Sequence, residues 1–281
     1  MLPAPPRWAE PVTLTRIAII AAILLLWEAI ARSGLLYRDV VPSLAAIGGA
    51  MWRLLTVGDL DWPIDLSFAH VALVADLKVP QFYWHLSVTA GEVGIALAVG
   101  GLSGLLAGLV LGGNRLLSNA FEPYLYYLGP TPKIIFFPVM IMLFGVGPGS
   151  KVAMGVISCF FPIALSTASG MREIDKVLIR VGRSFRANAW QMATKIYLPA
   201  MRAPIVNGVR IGLGVAIIGT LLAETKLSNR GLGFLIIQAY SQFDMPRMYA
   251  MLIVLFVLAI AANAAVGRLY GKNNAGSQAI S

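Results

Sequence analysis

Residues 84–112 read WHLSVTAGEVGIALAVGGLSGLLAGLVLG, an apolar run broken by one carboxylate, Glu92, near its start. A helix needs about 20 mainly apolar residues to cross the hydrocarbon core of a bilayer, and this stretch exceeds that. Five more stretches qualify once scattered polar residues are allowed, at 13–33, 120–147, 151–171, 197–224 and 248–269. The fold class is therefore an all-α integral membrane protein of about six transmembrane helices. Composition agrees: 58% of residues are hydrophobic and 12% charged, against about 25% charged in ordinary globular chains. Mean hydropathy is +0.77. Residues 17–27 followed by Ala29-Ile30-Ala31 have the outline of a cleavable leader. Trp27 and Glu28 do not suit such a site, and the spans count correctly only if the first is retained.

The segment 34–83 is too polar to span, with Asp59, Asp61, Asp65, Asp76 and Trp62-Pro63, and short surface or interfacial helices are expected there. The net charge of +9 does not form a stripe of the kind that binds nucleic acid, because Lys and Arg fall between apolar runs. Their distribution sets topology instead, since cytoplasmic loops collect the excess of positive charge. With the amino terminus inside, Arg172, Lys176, Arg180, Arg183, Arg186 and Lys195 gather in one short cytoplasmic loop, with Arg7, Arg16, Arg115, Arg268 and Lys272 on the same side. Arg32, Arg38, Arg53, Lys78, Lys151, Lys226, Arg230 and Arg247 fall outside. Both termini are expected in the cytoplasm. Cys159 is the only cysteine, so neither an intramolecular disulfide nor a cysteine-based metal site is available.

The basic loop reads MREIDKVLIRVGRSFRANAWQMATKIYLPAMRAP over residues 171–204, two short helices parted by a turn near Arg186-Ala187-Asn188. Its spacing resembles the type-1 ABC importer permeases, in particular those associated with nitrate, sulfonate, taurine and related small substrates. That family carries a cytoplasmic pattern E-A-A-x(3)-G-x(9)-I-x-L-P. Here the register falls on Arg180, Val181 and Gly182, then Arg186 followed by Ala187, then Ile196, Leu198 and Pro199. The leading Glu and the Gly are both replaced by Arg. Further family-like features are Leu26-Trp27-Glu28, Gly129-Pro130-Thr131-Pro132 leading to Phe144-Gly145-Val146-Gly147, Phe160-Phe161-Pro162-Ile163, Ala223-Glu224 and Gly231-Leu232-Gly233. Resemblance runs from about residue 14 to 270, with extra length near 57–80.

The resemblance implies a type-1 ABC importer permease fold in a bacterial inner membrane. The chain divides into residues 1–81 (tail, first span and external segment), a five-helix permease core over 82–270, and a cytoplasmic tail over 271–281. It also implies the partners: ABC ATPase subunits docked on the Arg180–Pro199 loop, a periplasmic solute-binding protein, and a second permease copy, identical or related. ATP would be bound by the ATPase, and no cofactor or catalytic group is expected on this chain, which has no G-x(4)-G-K-[ST] loop. In the loop, a rigid helix pair wedged into a partner would transmit ATPase closure to the membrane helices. Pro199 suits the first turn of the fifth span. Arg186 stands where a glycine would allow positive φ.

Within the spans, Gly100, Gly104, Gly108 and Gly112 put a smooth groove on one helix face, for packing inside the subunit or against a second copy. Glu28 and Glu92 lie near outer ends, where the interface or solvent can satisfy them. Lys133 lies between Pro130, Pro132 and Pro138. Either it lines a watery path and meets an anionic substrate, or the span starts later and Lys133 snorkels to the headgroups, with Tyr124, Tyr126 and Tyr127 as an interfacial belt. His70 and His85 are expected in or beside the outer loop, solvated. The competing reading is a secondary transporter or channel without an ATPase. Such proteins usually rely on several intramembrane carboxylates and inverted repeats, which the sequence does not display.

Overall fold

Helix formation along the chain follows the apolar runs, and the breaks follow Gly and Pro. The computed structural model describes residues 11–34, 40–57, 60–61, 78–226 and 228–275. His70, Trp62-Pro63, Asp59, Asp65 and Asp76 lie outside the described residues. Contacts divide the chain into two compact units, one made of residues up to Gln81 with Ile236–Ile253, the other of Phe82–Leu235 with residues from Val254 onward.

In the first unit, α1 (Pro11–Ser33) is apolar along its length and buries almost none of its surface. Its carboxyl-terminal turn carries the Leu26-Trp27-Glu28 motif, and the polar atoms of that motif hold the chain that follows. Trp27 Nε1 donates to the Pro42 carbonyl at 3.1 Å. Glu28 accepts from Arg32 Nε at 2.6 Å and from the Leu44 backbone N–H at 2.9 Å, the latter an amide in the first turn of α2 (Leu44–Thr56) that no intrahelical carbonyl can reach. Glu28 is thus a structural tie and not merely a group that reaches the headgroups. Ile47 and Ala50 pack on Ala250, with Trp27 edge-on to Tyr249 at 5.4 Å. Of the short helices expected over 34–83, α2 is one; a two-residue antiparallel pair joins β1 (Leu60–Asp61) to β2 (Lys78–Val79).

The second unit is organised around three long helices: α3 (Gln81–Gly113), α6 (Pro148–Arg172) and α10 (Arg202–Glu224). Glycine lets their backbones touch. A Cβ at Gly104 would lie 2.8 Å from the Phe160 carbonyl oxygen, and one at Gly108 2.6 Å from that of Ala164; Gly100 and Gly112 meet the carbonyls of Val156 and Ala168 in the same way. The glycine row of α3 therefore faces α6 of its own chain. Gly208 and Gly219 do the same for α10 on the α6 backbone, and Gly212 makes room for the Ile163 side chain. Without a hydrophobic driving force between helices in lipid, this close contact is what holds them together.

Between α3 and α6 the chain does not run as one straight span over 120–147. It forms α4 (Arg115–Leu128), a single 3₁₀ turn over Lys133–Phe136 and α5 (Phe137–Phe144), with a bend of 96° between the two arms. Pro130 and Pro132 lack the amide hydrogens that would continue α4, and Pro138 sits where α5 begins. Gly145, at φ +75°, ends α5. Among the described residues, five helices are long and apolar enough to cross a bilayer, six if the bent pair is one span. After α6 come α7 (Lys176–Ser184), α8 (Ala189–Met192), a π-helical turn over Ala193–Tyr197 and α9 (Leu198–Ala200). Pro199 thus sits in the one-turn α9, ahead of the fifth span. Two helices remain, α11 (Leu232–Ser241) and α12 (Met245–Ala275).

Candidate functional site

The α7–α9 loop is built to be rigid. The Asp175 carboxylate accepts from the Val177 N–H at 2.7 Å and caps α7. At the other end the Ala187 N–H reaches back to the Gly182 carbonyl at 3.1 Å and the Arg186 N–H to that of Arg183 at 2.9 Å, the paired bonds of a Schellman closure. Its left-handed position, φ +53°, is occupied by Arg186. Asn188 and Gln191 then form a reciprocal capping box on α8, at 2.8 and 2.9 Å. The π turn ahead of Pro199 has a local cause, since a proline ring clashes with the carbonyl four residues back and a wider turn relieves it.

Gly182 is the contact point of the two arms. A Cβ there would run into Ile196 Cδ1 and into Met192 Sδ, the latter at 2.6 Å. Ile196, Leu198 and Pro199 are half-buried behind this contact, as is Ala187, whereas Arg180 and Arg186 are exposed. Val177, Leu178, Val181, Phe185 and Trp190 also face outward, Phe185 at 83% and Trp190 at 75% exposure. The loop therefore presents large apolar side chains ringed by arginines, a surface of the type that a protein partner covers.

Lys133 lies in the 3₁₀ turn at the α4–α5 break. Its ammonium donates to the carbonyls of Leu128, at 3.1 Å, and Gly129, the end of α4, and sits 5.1 Å from the centre of the Phe161 ring. It lines a cavity of about 600 Å³ together with Tyr126, Pro130, Pro132, Phe161, Pro162 and the Ile211–Leu222 face of α10. The walls are mainly apolar and aromatic, with Lys133 the charged group among them. Beside the cavity the Arg172 guanidinium makes a forked pair with Glu122 and also donates to Ser118 Oγ at 3.1 Å, which ties α4 to α6.

A second polar cluster was not anticipated. His85, Glu92 and Lys151, all expected at solvated outer positions, are buried, at 4%, 7% and 4% exposure. They meet Thr89 and Glu224 between α3, α6 and α10. Thr89 Oγ1 donates to Glu224 at 2.7 Å and accepts from the Leu232 N–H at 2.8 Å; the Gly233 N–H donates to Glu224 at 2.7 Å; and the Gly231 N–H donates to His85 Nδ1 at 3.0 Å. Three successive amides at the start of α11 are thus held by side chains of α3 and α10. Gly231, at φ +97°, must lack a side chain because one would strike the Glu224 carboxyl. Lys151 donates to the Val146 and Gly147 carbonyls, closing the turn after α5. The sequence did hold a signal: His85, Thr89 and Glu92 recur at helical spacing on one face of α3, and a carboxylate precedes Gly231-Leu232-Gly233.

Comparison with known proteins places these features. Residues 100–273 match the family of binding-protein-dependent transport system inner membrane components. A probable ABC transporter permease protein of Haemophilus influenzae is 26% identical over 86% of this chain and 89% of its own. An aliphatic sulfonates transport permease protein of Bacillus subtilis is 26% identical over 85% and 78%, and the taurine transport system permease protein of Escherichia coli 30% over 54% and 55%. The fold is similar to that of a chain of the MetNI methionine ABC transporter, which was solved in inward-facing conformations, at a TM-score of 0.56 and 22% identity, covering 68% of this chain and 96% of that one. With the matched segment spanning the glycine row, the bent pair, the loop and the α10–α11 junction, the chain belongs to the binding-protein-dependent transport system inner membrane components and is a permease of the ABC importer class, a transport subunit whose ATPase is a separate protein.

Proposed function

We propose that this permease carries a small anion of the sulfonate or nitrate kind across the inner membrane. A periplasmic binding protein delivers the solute, and a pair of ATPase subunits docked on the α7–α9 loop drives its passage, with a second permease copy completing the path. Both termini are cytoplasmic. The observation that carries the reading is the loop itself: two capped arms locked at Gly182, with Phe185 and Trp190 bare among arginines. In that loop Arg180, Val181, Gly182, Arg186, Ala187, Ile196, Leu198 and Pro199 form the coupling element. Val181 and the arginines are the contact face, and Gly182 and Ile196 the hinge-free joint. The substrate class rests on Lys133, beside Pro130 and Pro132 at the cavity wall, whose ammonium has a third donor beyond its two carbonyl partners, and on the sulfonate and taurine permeases among the relatives. A secondary transporter without an ATPase is not favoured by the family.

Co-expression with the cognate ATPase and binding protein, then transport of taurine and an alkanesulfonate in proteoliposomes, tests the proposal. ATPase association that is weakened by the Arg180→Ala/Arg186→Ala pair, and uptake lost in Lys133→Met, are the expected results. Retention of sulfonate uptake by Lys133→Met would remove the anion role of Lys133. Uptake of a neutral formylaminopyrimidine instead, the solute of a transport permease protein of Halalkalibacterium halodurans that is 29% identical to this chain, would overturn the substrate class.

A further inference from the structure

The cluster of α3, α6 and α10 holds more negative charge than its partners balance. Glu224 is 1% and Glu92 7% exposed, and Glu92 lies one turn along α3 from Thr89, whose hydroxyl donates to the Glu224 carboxyl at 2.7 Å. Lys151, 4% exposed, is the ammonium that acts on both. Two carboxylates against one ammonium leave a surplus charge inside the protein, at a cost no buried site sustains without a partner. The hydrogen bonds point the same way. Glu224 takes its donors from Thr89 and Gly233, while Glu92 Oε2 is fully buried and meets no donor. A carboxylate oxygen in that position is unsatisfied; a protonated one is itself a donor, and each Glu224 oxygen keeps a second lone pair to receive it.

We infer that Glu92 and Glu224 form a buried proton-binding site, one proton shared between two carboxyls, and that this proton holds the Gly231–Gly233 segment closed on α3 and α10. With the proton in place the triad of Glu92, Glu224 and Lys151 is neutral, and Glu224 is oriented to accept from Thr89 Oγ1 and the Gly233 N–H. Loss of the proton sets two like charges in contact. Their separation moves Glu224, which no longer receives Thr89 and Gly233; the Gly233 amide loses its acceptor, and the Thr89 hydroxyl that accepts from the Leu232 N–H loses the bond that orients it. His85 faces the same segment from α3, through the Gly231 N–H on Nδ1 and its ring stacked on Phe234 at 5.8 Å, and it opposes opening without belonging to the carboxyl pair. A metal ion is the poorer occupant, because it would stand beside the Lys151 ammonium.

Infrared spectroscopy and hydrogen exchange on the full chain in lipid nanodiscs test the site. At neutral pH the wild type shows a protonated-carboxyl band that disappears in Glu92→Gln. On raising the pH, exchange at Gly231–Gly233, corrected for intrinsic base catalysis, accelerates by about tenfold or more in the wild type and stays slow in Glu92→Gln, whose amide donates to Glu224 at every pH. Thr89→Val exchanges fast throughout yet keeps the band. The wild-type measurements stand alone should a variant fail to fold. Absence of the band from the wild type overturns the inference, as does opening of Glu92→Gln with the wild-type pH profile. Protection that follows sodium concentration and not pH would replace the proton with a cation.

Discussion

Arg186 holds a backbone conformation that glycine adopts freely. A residue with a Cβ pays about 1–2 kcal/mol in the left-handed region, and glycine gives back about 0.5–1 kcal/mol through its greater freedom when unfolded. Arg186→Gly is therefore expected to stabilise the loop by roughly 0.5–1 kcal/mol, read as slower exchange at Ala187 and the end of α7. Faster exchange would mean that the arginine side chain contributes more than its backbone costs. Gly182 makes the opposite prediction. Gly182→Leu must displace Ile196 and Met192, an overpacking worth about 1–3 kcal/mol, so the arms part and ATPase association falls while membrane insertion persists. Normal association in that variant would show that the joint is not needed. Both positions were legible from the spacing of the loop. Glu92, His85 and Lys151 were not read correctly, because their burial depends on helices brought together from distant parts of the chain, as His85 meets Gly231, 146 residues away. Position along a span predicts depth in the bilayer; it does not predict which neighbour covers a side chain.

Among the elements, α3 gains its place from which face its glycines occupy. Gly104 meets the Phe160 carbonyl, whereas nothing lies within 4 Å of a Cβ at Gly94. Gly104→Leu is expected to separate α3 from α6 and yield little folded protein, while Gly94→Ala is neutral or slightly stabilising, since alanine is the better helix former by about 1 kcal/mol. Comparable yields of the two by size-exclusion profile would contradict the packing role. The forked Arg172–Glu122 pair binds α4 to α6 in another way. Removing one partner strands a half-buried charge, so Arg172→Met should destabilise more than the double variant Arg172→Met/Glu122→Gln in thermal unfolding. A double variant worse than either single would show that the two groups act separately. Periodicity made the long helices readable. It was silent on the 96° bend between α4 and α5, because hydropathy counts apolar residues and does not weigh the missing amides of Pro130 and Pro132.

For the whole molecule, the decisive quantity is the distribution of charge between the two faces of the membrane. Lys176, Arg180, Arg183 and Arg186 are concentrated in one short loop, for which the excess of positive charge predicts a cytoplasmic position. The burial of Lys151 and its bonds to Val146 and Gly147 remove one cation from the outer count, and this sharpens the asymmetry. Cys159 is buried, so it offers no background to thiol labelling in intact vesicles. Ser184→Cys, at the end of α7, should react with an impermeant maleimide only in inside-out vesicles, and Ser228→Cys, between α10 and α11, only in right-side-out ones. The converse pattern would invert the proposed topology, move the α7–α9 loop out of reach of any cytoplasmic ATPase, and leave the α10–α11 junction as the face toward the cytoplasm. The expected pattern instead sets the two rigid features of the second unit, the capped loop and the carboxyl-held glycine segment, at opposite ends of α10. Movement imposed at the first then has one continuous helix through which to reach the second.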